Sequence, residues 1–565
     1  MIPINRTYAP LQAFVDELAR SGVRHAVTSP GSRNAPLALT LASEPRIQAH
    51  SVIDERCAGF VALGIAKATG SAVAVTCTSG SAAANLMPAV VEAWESRVPL
   101  LVLTADRPPE LRDVGAGQVI DQVKLYGSAA KWFVEVGTHE PSRASALHMR
   151  GLACRAVATA EGARPGPVHL NFPLREPLAP VREELDPADW QGRADGRPWV
   201  SVVEPDDSAR RAAGTIAEAV AGSRRGAIVA GSARGEAPLT VLDFARRAGW
   251  PVLADPLSGL RCGPPDRANV IAHYDLLLRV ERFAGAQRPD LVIRVGDAPT
   301  SKPLRAWLAG AEQIVLDPDR AWHEPTREAG TIVPAGPELL AALAGEVTAA
   351  DGGWLEAWQR ADRLVLPELV ATPDPFEPKV WAAAADAAPE GAVLWVASSM
   401  PVRDVEAYLP SMAKRLRVLA NRGANGIDGT VSSAIGAAIG TGAPSILLTG
   451  DLALIHDVGG VMAARRLPAE LTIVCANNGG GGIFDHLPVA ASADPAAYEE
   501  HVITRSGVEI ERVAALADMP YTRAETLDDL AAAIQRGPGL IEVPTDRATG
   551  LERHRDLRAR VEAAL

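Results

Sequence analysis

At 565 residues the chain is too long for one hydrophobic core, and about 150 residues per domain points to three or four. Its 47% hydrophobic and 22% charged residues are those of a globular protein, with Ala, Gly and Val suited to parallel sheets under closely packed helices. Lys and Arg number 56 against 68 Asp and Glu, a net charge of −12, which argues against a sequence-independent grip on nucleic acid or an anionic membrane and confines any anion site to a local cluster. The five cysteines, Cys57, Cys77, Cys154, Cys262 and Cys475, lack CxxC spacing and sit among apolar neighbours, so they read as buried thiols of a reducing compartment, with no zinc site. The first six residues lack the charged-then-apolar order of a secretion signal, and the uncharged stretch 429–450 is broken by glycines, serines and Pro444 into helix, loop and strand. The expectation is a cytoplasmic protein without a membrane span.

In chain order, 11–21 reads as a helix and 23–28 as a strand ending in Ser29-Pro-Gly-Ser-Arg33, before a helix near Asn34-Ala-Pro36 with proline in its first turn. Amides at that helix start, with Arg33, suit an anion; a plain turn with a solvated arginine accounts for the same residues. A short strand at 51–53 leads to Asp54-Glu-Arg56 and the apolar helix 57–69, so Glu55 stands at a junction where an acid ordinarily caps the helix or meets its dipole. Strands follow at 72–77, ending in Thr78-Ser-Gly-Ser81, and at 99–104, ending in Asp106-Arg-Pro-Pro109, with Gly115-Ala-Gly-Gln118 beyond. Successive strand ends thus carry Arg33, Glu55, Ser79 and Arg107, along the edge where open α/β sheets take ligands. A strand at 168–172 closes a first domain, 1–185, and 173–180 reads as an extended linker.

A second α/β domain, 186–355, begins at Asp186-Pro-Ala-Asp-Trp190, with strands at 227–230, 251–254, 291–295 and 313–316. Gly231-Ser-Ala-Arg-Gly235 lacks the full glycine spacing of a dinucleotide loop and reads better as a structural spacer. Gly296 to Lys302 puts a lysine at a strand end, where most lysines are simply solvated. In the last domain, 356–565, strands at 392–397 and 417–420 lead into Ser398-Ser-Met-Pro-Val-Arg403 and Asn421-Arg-Gly-Ala-Asn-Gly-Ile-Asp-Gly429. Apolar strands at 445–449 and 471–476 then stop at Gly450-Asp451 and Asn477-Asn478, and glycines 479–482 follow. If these strands are parallel neighbours, Asp451 and Asn478, 27 residues apart, meet at one edge. A carboxylate, an amide oxygen and a carbonyl of the glycine tract are hard donors suited to Mg²⁺ against a diphosphate, although each dipeptide alone is also an ordinary turn. A strand at 540–543 and a charged helix end the chain, and the first and last domains share size and strand–helix rhythm.

These stretches resemble the 2-succinyl-5-enolpyruvyl-6-hydroxy-3-cyclohexene-1-carboxylate (SEPHCHC) synthases, thiamine diphosphate enzymes of menaquinone biosynthesis. The resemblance rests on Ser29 to Leu37, Asp54-Glu-Arg56, Thr78 to Ser81, Arg107-Pro-Pro-Glu110, Asn421 to Gly429, Gly450-Asp-Leu452 and Gly480-Gly-Gly-Ile-Phe484, and it spans nearly the whole chain. It implies an α/β fold of three doubly wound parallel-sheet domains, pyrimidine-binding, central and diphosphate-binding. A homo-oligomer, dimer or tetramer, with active sites at the subunit interface is implied as well.

Thiamine diphosphate and Mg²⁺, or Mn²⁺ in its place, are the implied cofactors. Glu55 then corresponds to the carboxylate on the aminopyrimidine ring, and Asp451, Asn478 and the Gly480 carbonyl to the metal ligands. Gly80, Ser399, Gly450 and Leu452 become further cofactor contacts, Ile427 an apolar wedge, and Ile483 and Phe484 the walls of the thiazolium site. The implied reaction removes CO₂ from 2-oxoglutarate and adds the remaining succinyl unit to isochorismate. Both substrates are dicarboxylates, so Arg33, Arg107, Lys302, Arg403 and Arg422 are the expected cations, with Ser32, Gln118 and Ser399 as neutral donors. Arg33, Arg403 and Arg422 join Glu55 as the groups expected at the reacting atoms. Gly117 and Gly479 depart from the family pattern, the first replacing a common Asn and the second a common polar residue. A carboligase of the acetolactate-synthase kind would lack this arginine cluster, and a Mg²⁺-nucleotide module would need a GxxxxGK[ST] loop that the chain does not have.

Overall fold

The structure, a computed structural model, describes residues 5–186, 190–202, 208–233, 239–264, 266–345 and 347–565. Its strands form three six-stranded sheets in which every pairing is parallel. The first holds β1 His25–Thr28, β2 Gln48–Ser51, β3 Val73–Cys77, β4 Leu100–Asp106, β5 Trp132–Glu135 and β6 Val168–Pro173, in the order β2-β1-β3-β4-β6-β5. The middle sheet holds β7 Gly226–Ala230, β8 Val252–Ala254, β9 Val270–Ile271, β10 Leu291–Val295, β11 Glu312–Leu316 and β12 Thr331–Val333, in the order β12-β11-β10-β7-β8-β9. The last holds β13 Val393–Val396, β14 Arg417–Leu419, β15 Ser445–Gly450, β16 Leu471–Asn477, β17 Tyr521–Arg523 and β18 Gly539–Pro544, in the order β14-β13-β15-β16-β18-β17.

Interior strands are apolar almost without break because helices cover both faces of a parallel sheet. In β7, Ile228 and Ala230 face a core with Trp250 and Phe244, while Ala227 and Val229 face another with Trp307 and Trp358. Burying one such large side chain contributes about 1.5–3 kcal/mol. The sequence placed a strand at 51–53; β2 instead pairs three residues earlier, and Val52 N makes a last bond to Thr28 O at 3.0 Å before the chain turns into a helix. Strands β5, β9, β12 and β17 were not foreseen, and each lies at a sheet edge.

The middle sheet has the doubly wound order whose reversal point, between β7 and β10, can open a dinucleotide crevice. Here the crevice is shut. Gly231 N bonds Val295 O at 2.9 Å, Asp297 N bonds Ser232 O at 2.8 Å, and a methyl at Gly231 would overlap Asp297 O. The described part of the 231–235 loop is thus a packed spacer; Arg234 and Gly235, like 187–189 of the Asp186 to Trp190 stretch, lie outside the described residues.

The chain divides into two compact units, Met1–Glu204 with Asn421–Gly442 and His456–Ala469, and Pro205–Ala420 with Ala443–Ile455 and Glu470–Leu565. Within the first, helix Glu55–Thr69 crosses helix Thr430–Thr441 at backbone contact: a methyl at Gly64 would overlap Ser433 O, and one at Gly436 would overlap Val61 O. Within the second, the fully buried Arg261 fastens the middle sheet to helix Met400–Tyr408. It donates to Ala254 O at the end of β8 and to Val405 O, Glu406 O and Leu409 O at 3.1, 2.8 and 3.0 Å. All five cysteines are buried and free. No helix among the described residues is long and apolar enough to cross a membrane.

Candidate functional site

At the carboxyl edge of the first sheet the strand order lines up Glu55 after β2, Arg33 after β1, Ser79 and Gly80 after β3, and Arg107 after β4. The turn after β1 is held from inside: Asn34, fully buried, donates to Ser29 O at 2.8 Å and accepts Thr76 Oγ1 at 2.6 Å. Ser32 is left exposed, and Arg33 donates to Leu174 O at 2.8 Å, with Glu176 at 3.5 Å. Arg107 donates to Ser79 Oγ and to Gln118 O at 3.2 Å. Burial first, and then the like charge of Arg33, lowers the Arg107 pKa against the pull of Asp106. Two guanidiniums that repel one another in a partly desolvated corner suit an anionic ligand.

Gly80, at φ +87°, hands its N–H to Gln122 Oε1 at 3.0 Å, and Gln118 Nε2 donates to Ser79 O at 3.0 Å, so the Gln118 amide holds the loop. The helix after β2 is capped by Asp54, which accepts Cys57 N at 3.2 Å; the half-buried Glu55 carboxylate stands outside that capping bond. Nothing lies within 4 Å of a methyl built at Gly117, so an asparagine would have had room there.

The loop 421–429 belongs to the same compact unit and carries the half-buried Arg422 and Ile427. Its backbone is gripped by Glu92, a buried acid in helix Met87–Glu95, which accepts Gly423 N at 3.0 Å and Ala424 N at 2.6 Å. Lys67 stands 3.5 Å from the Glu92 carboxylate and donates to Asn421 Oδ1 at 3.3 Å. The Ile427 carbonyl accepts Thr430 Oγ1 at 2.8 Å at the start of the following helix.

In the last sheet β15 and β16 are adjacent, pairing Gly450 with Ala476, and this sets Asp451 and Asn478 at neighbouring strand ends. The two asparagines differ sharply. Asn477 spends both ends on protein, donating to Glu542 at 2.7 Å and accepting Gly479 N at 3.2 Å. Asn478 donates Nδ2 to Glu377 Oε1 at 2.8 Å, and its Oδ1 is buried without a partner. Asp451 is 3% exposed, and burial pushes its carboxyl up to about 6 although the backbone N–H groups of Leu452, Asp451 and Gly480 oppose the shift. An orphaned amide oxygen beside a carboxylate short of positive charge fits a hard divalent cation.

Gly480 O accepts Gly482 N at 2.9 Å across an inverse γ-turn centred on Gly481 and keeps its second lone pair. Among the described residues no cluster of three or more His, Cys, Asp and Glu could hold a metal. Gly479 has φ +75°, a conformation that glycine and asparagine tolerate best. Leu452, Ile483 and Phe484 are half-buried around these strand ends.

In the same unit Ser399 opens helix Met400–Tyr408 at φ +76°, rare for a residue with a Cβ, and Arg403 donates back to its carbonyl. Lys302 is exposed at the first turn of helix Lys302–Leu308, whose cap Ser301 donates its N–H to Glu406 at 3.0 Å. The structure therefore assembles Arg33, Gly80, Arg107 and Gln118 in one unit, and Asp451, Asn478 and Gly480 in the other. Glu92, Gln122 and Glu377 escaped the sequence reading. Only Glu92 left a signal, an acid between apolar neighbours within helix Met87–Glu95, where burial demands partners.

Residues 11–125 match the N-terminal binding domain of thiamine pyrophosphate enzymes, 187–363 their middle domain and 403–543 their C-terminal binding domain. The 2-succinyl-5-enolpyruvyl-6-hydroxy-3-cyclohexene-1-carboxylate synthase of Bacillus velezensis is 45% identical over 561 residues, 96% of this chain and 96% of that protein. The synthases of the same name from Geobacillus thermodenitrificans and Myxococcus xanthus are 42% and 41% identical, over 97% and 98% of this chain and 95% and 97% of theirs. With such likeness running end to end and a cofactor-type donor set at the last sheet's edge, the chain belongs to the SEPHCHC synthase family of thiamine pyrophosphate enzymes.

Proposed function

We propose that the chain decarboxylates 2-oxoglutarate and transfers the remaining succinyl unit by 1,4-addition to isochorismate, forming SEPHCHC and CO₂ in menaquinone biosynthesis, with thiamine diphosphate and Mg²⁺ or Mn²⁺. The observation that carries this reading is the near-full-length identity to synthases of that name. Bound thiamine diphosphate supplies the electron sink for decarboxylation.

The chain's own residues do the rest. The Asp451 carboxylate, Asn478 Oδ1 and Gly480 O hold the cation, Gly450 and Leu452 flank it, and Ile427, Ile483 and Phe484 give the cofactor apolar walls. Glu55 would hydrogen-bond the aminopyrimidine ring of the bound cofactor and so support its proton exchange. Arg33, Arg107, Lys302, Arg403 and Arg422 bind substrate carboxylates, and Ser32, Gln118 and Ser399 orient them; the mutual repulsion of Arg33 and Arg107 supports an anion between them. We further assign domain limits at 185 and 355, a cytoplasmic location, and a homodimer or homotetramer whose active sites lie between subunits.

Release of CO₂ from 2-oxoglutarate, measured with thiamine diphosphate and Mg²⁺ and with or without isochorismate, tests the assignment. Turnover to SEPHCHC with both substrates is expected, and its absence would overturn the reading.

A further inference from the structure

The geometry points to Glu377 as the positioning residue that sets which end of the Asn478 amide faces the cation, an inference resting on the metal role proposed above for Asn478. An amide presents oxygen or nitrogen according to its partners, and only the oxygen can ligate a divalent cation. Glu377 opens helix Glu377–Ala387, and its Oε1 accepts Asn478 Nδ2 at 2.8 Å. The same oxygen accepts Thr545 Oγ1 at 3.0 Å, and Thr545 N bonds Asn477 O at 3.0 Å, so the acceptor is itself tied to the strand end it serves. With Glu377 Oε1 already accepting on one side of the amide, Oδ1 is left on the other, where it is buried without a partner. A flipped amide would place oxygen against oxygen at Glu377 and point two N–H groups toward the cation. Nothing in the sequence marks this acid, because it lies 101 residues from Asn478 at an ordinary helix start.

The test is Mn²⁺ affinity in the presence of thiamine diphosphate, read by electron paramagnetic resonance, with the melting temperature of each metal-free variant as a check on folding. Glu377→Leu removes the acceptor and is expected to weaken Mn²⁺ binding by about 10- to 100-fold. Glu377→Gln keeps an acceptor oxygen while removing the charge, and is expected to retain near wild-type affinity. Unchanged affinity in Glu377→Leu would overturn the inference, and so would an equal loss in both variants, which would assign the effect to charge. If the wild-type protein binds no Mn²⁺ with thiamine diphosphate, the metal role of Asn478 itself is refuted, a result distinct from either of these.

Discussion

Counted along the chain, β1–β6 and β13–β18 are laid down in one order, with the reversal falling between β1 and β3 in the first sheet and between β13 and β15 in the last. The carboxyl edges of the two sheets nonetheless carry different chemistry. In the first sheet the turn after β1 is filled by the neutral, satisfied Asn34, and the edge presents the guanidiniums Arg33 and Arg107. In the last, the strand ends present Asp451 and the orphaned oxygen of Asn478. Topology gathers the loops; what they attract is decided residue by residue. The two compact units differ as well, one holding helices that touch through glycine and the other tied together by the buried Arg261.

The comparison can be broken first at Glu55. Glu55→Gln should slow exchange of the cofactor's C2 proton, followed by NMR, by about 10²- to 10⁴-fold while leaving Mn²⁺ binding at the last sheet intact. Unaltered exchange would remove Glu55 from the chemistry. Arg107→Ala should raise the half-saturating concentration of at least one substrate by roughly 10- to 100-fold, the worth of a charge-assisted contact, and unchanged saturation curves for both would exclude it.

Gly64→Ala should lower stability by about 1–3 kcal/mol, seen as a fall in melting temperature, because neither helix backbone can yield to a methyl. A neutral result would show that the crossing is looser than its geometry. A pH-dependent effect is expected at Glu406, whose carboxyl is pushed up to about 8 by burial and then by Asp255 and Asp275. Its folded pKa exceeds the ordinary 4.5, so the folded protein holds this proton more tightly and loses stability as pH rises through that interval. Glu406→Gln keeps an acceptor oxygen for Tyr274 and Ser301 and should be more stable than wild type near pH 8, with little difference near pH 4.5. Thermal unfolding at the two pH values decides it.

Interior strands were legible because sheets covered on both faces write unbroken apolar runs, such as Val73–Cys77 and Ser445–Gly450. Edge strands were harder: β14 was read at 417–420, but Trp132–Glu135 and Tyr521–Arg523, only partly buried, carry apolar runs too short to stand out. Asp451 and Asn478 could be found because each follows directly on its strand. Glu92 stood out only as an acid among apolar neighbours; its partner could not be found, because the grip on Gly423 spans 331 residues and only the folded chain brings the two together.

The division of the chain also bears on how the protein is made. The first compact unit takes in residues 421–442 and 456–469, so the face of helix Glu55–Thr69 that meets Ser433 has no mate while the ribosome is still delivering the residues in between. At about 5–20 residues per second that wait lasts roughly tens of seconds. A nascent chain must therefore carry an apolar, glycine-notched helix face uncovered for that time, and a fragment cut at the end of Met1–Glu204 would carry it permanently.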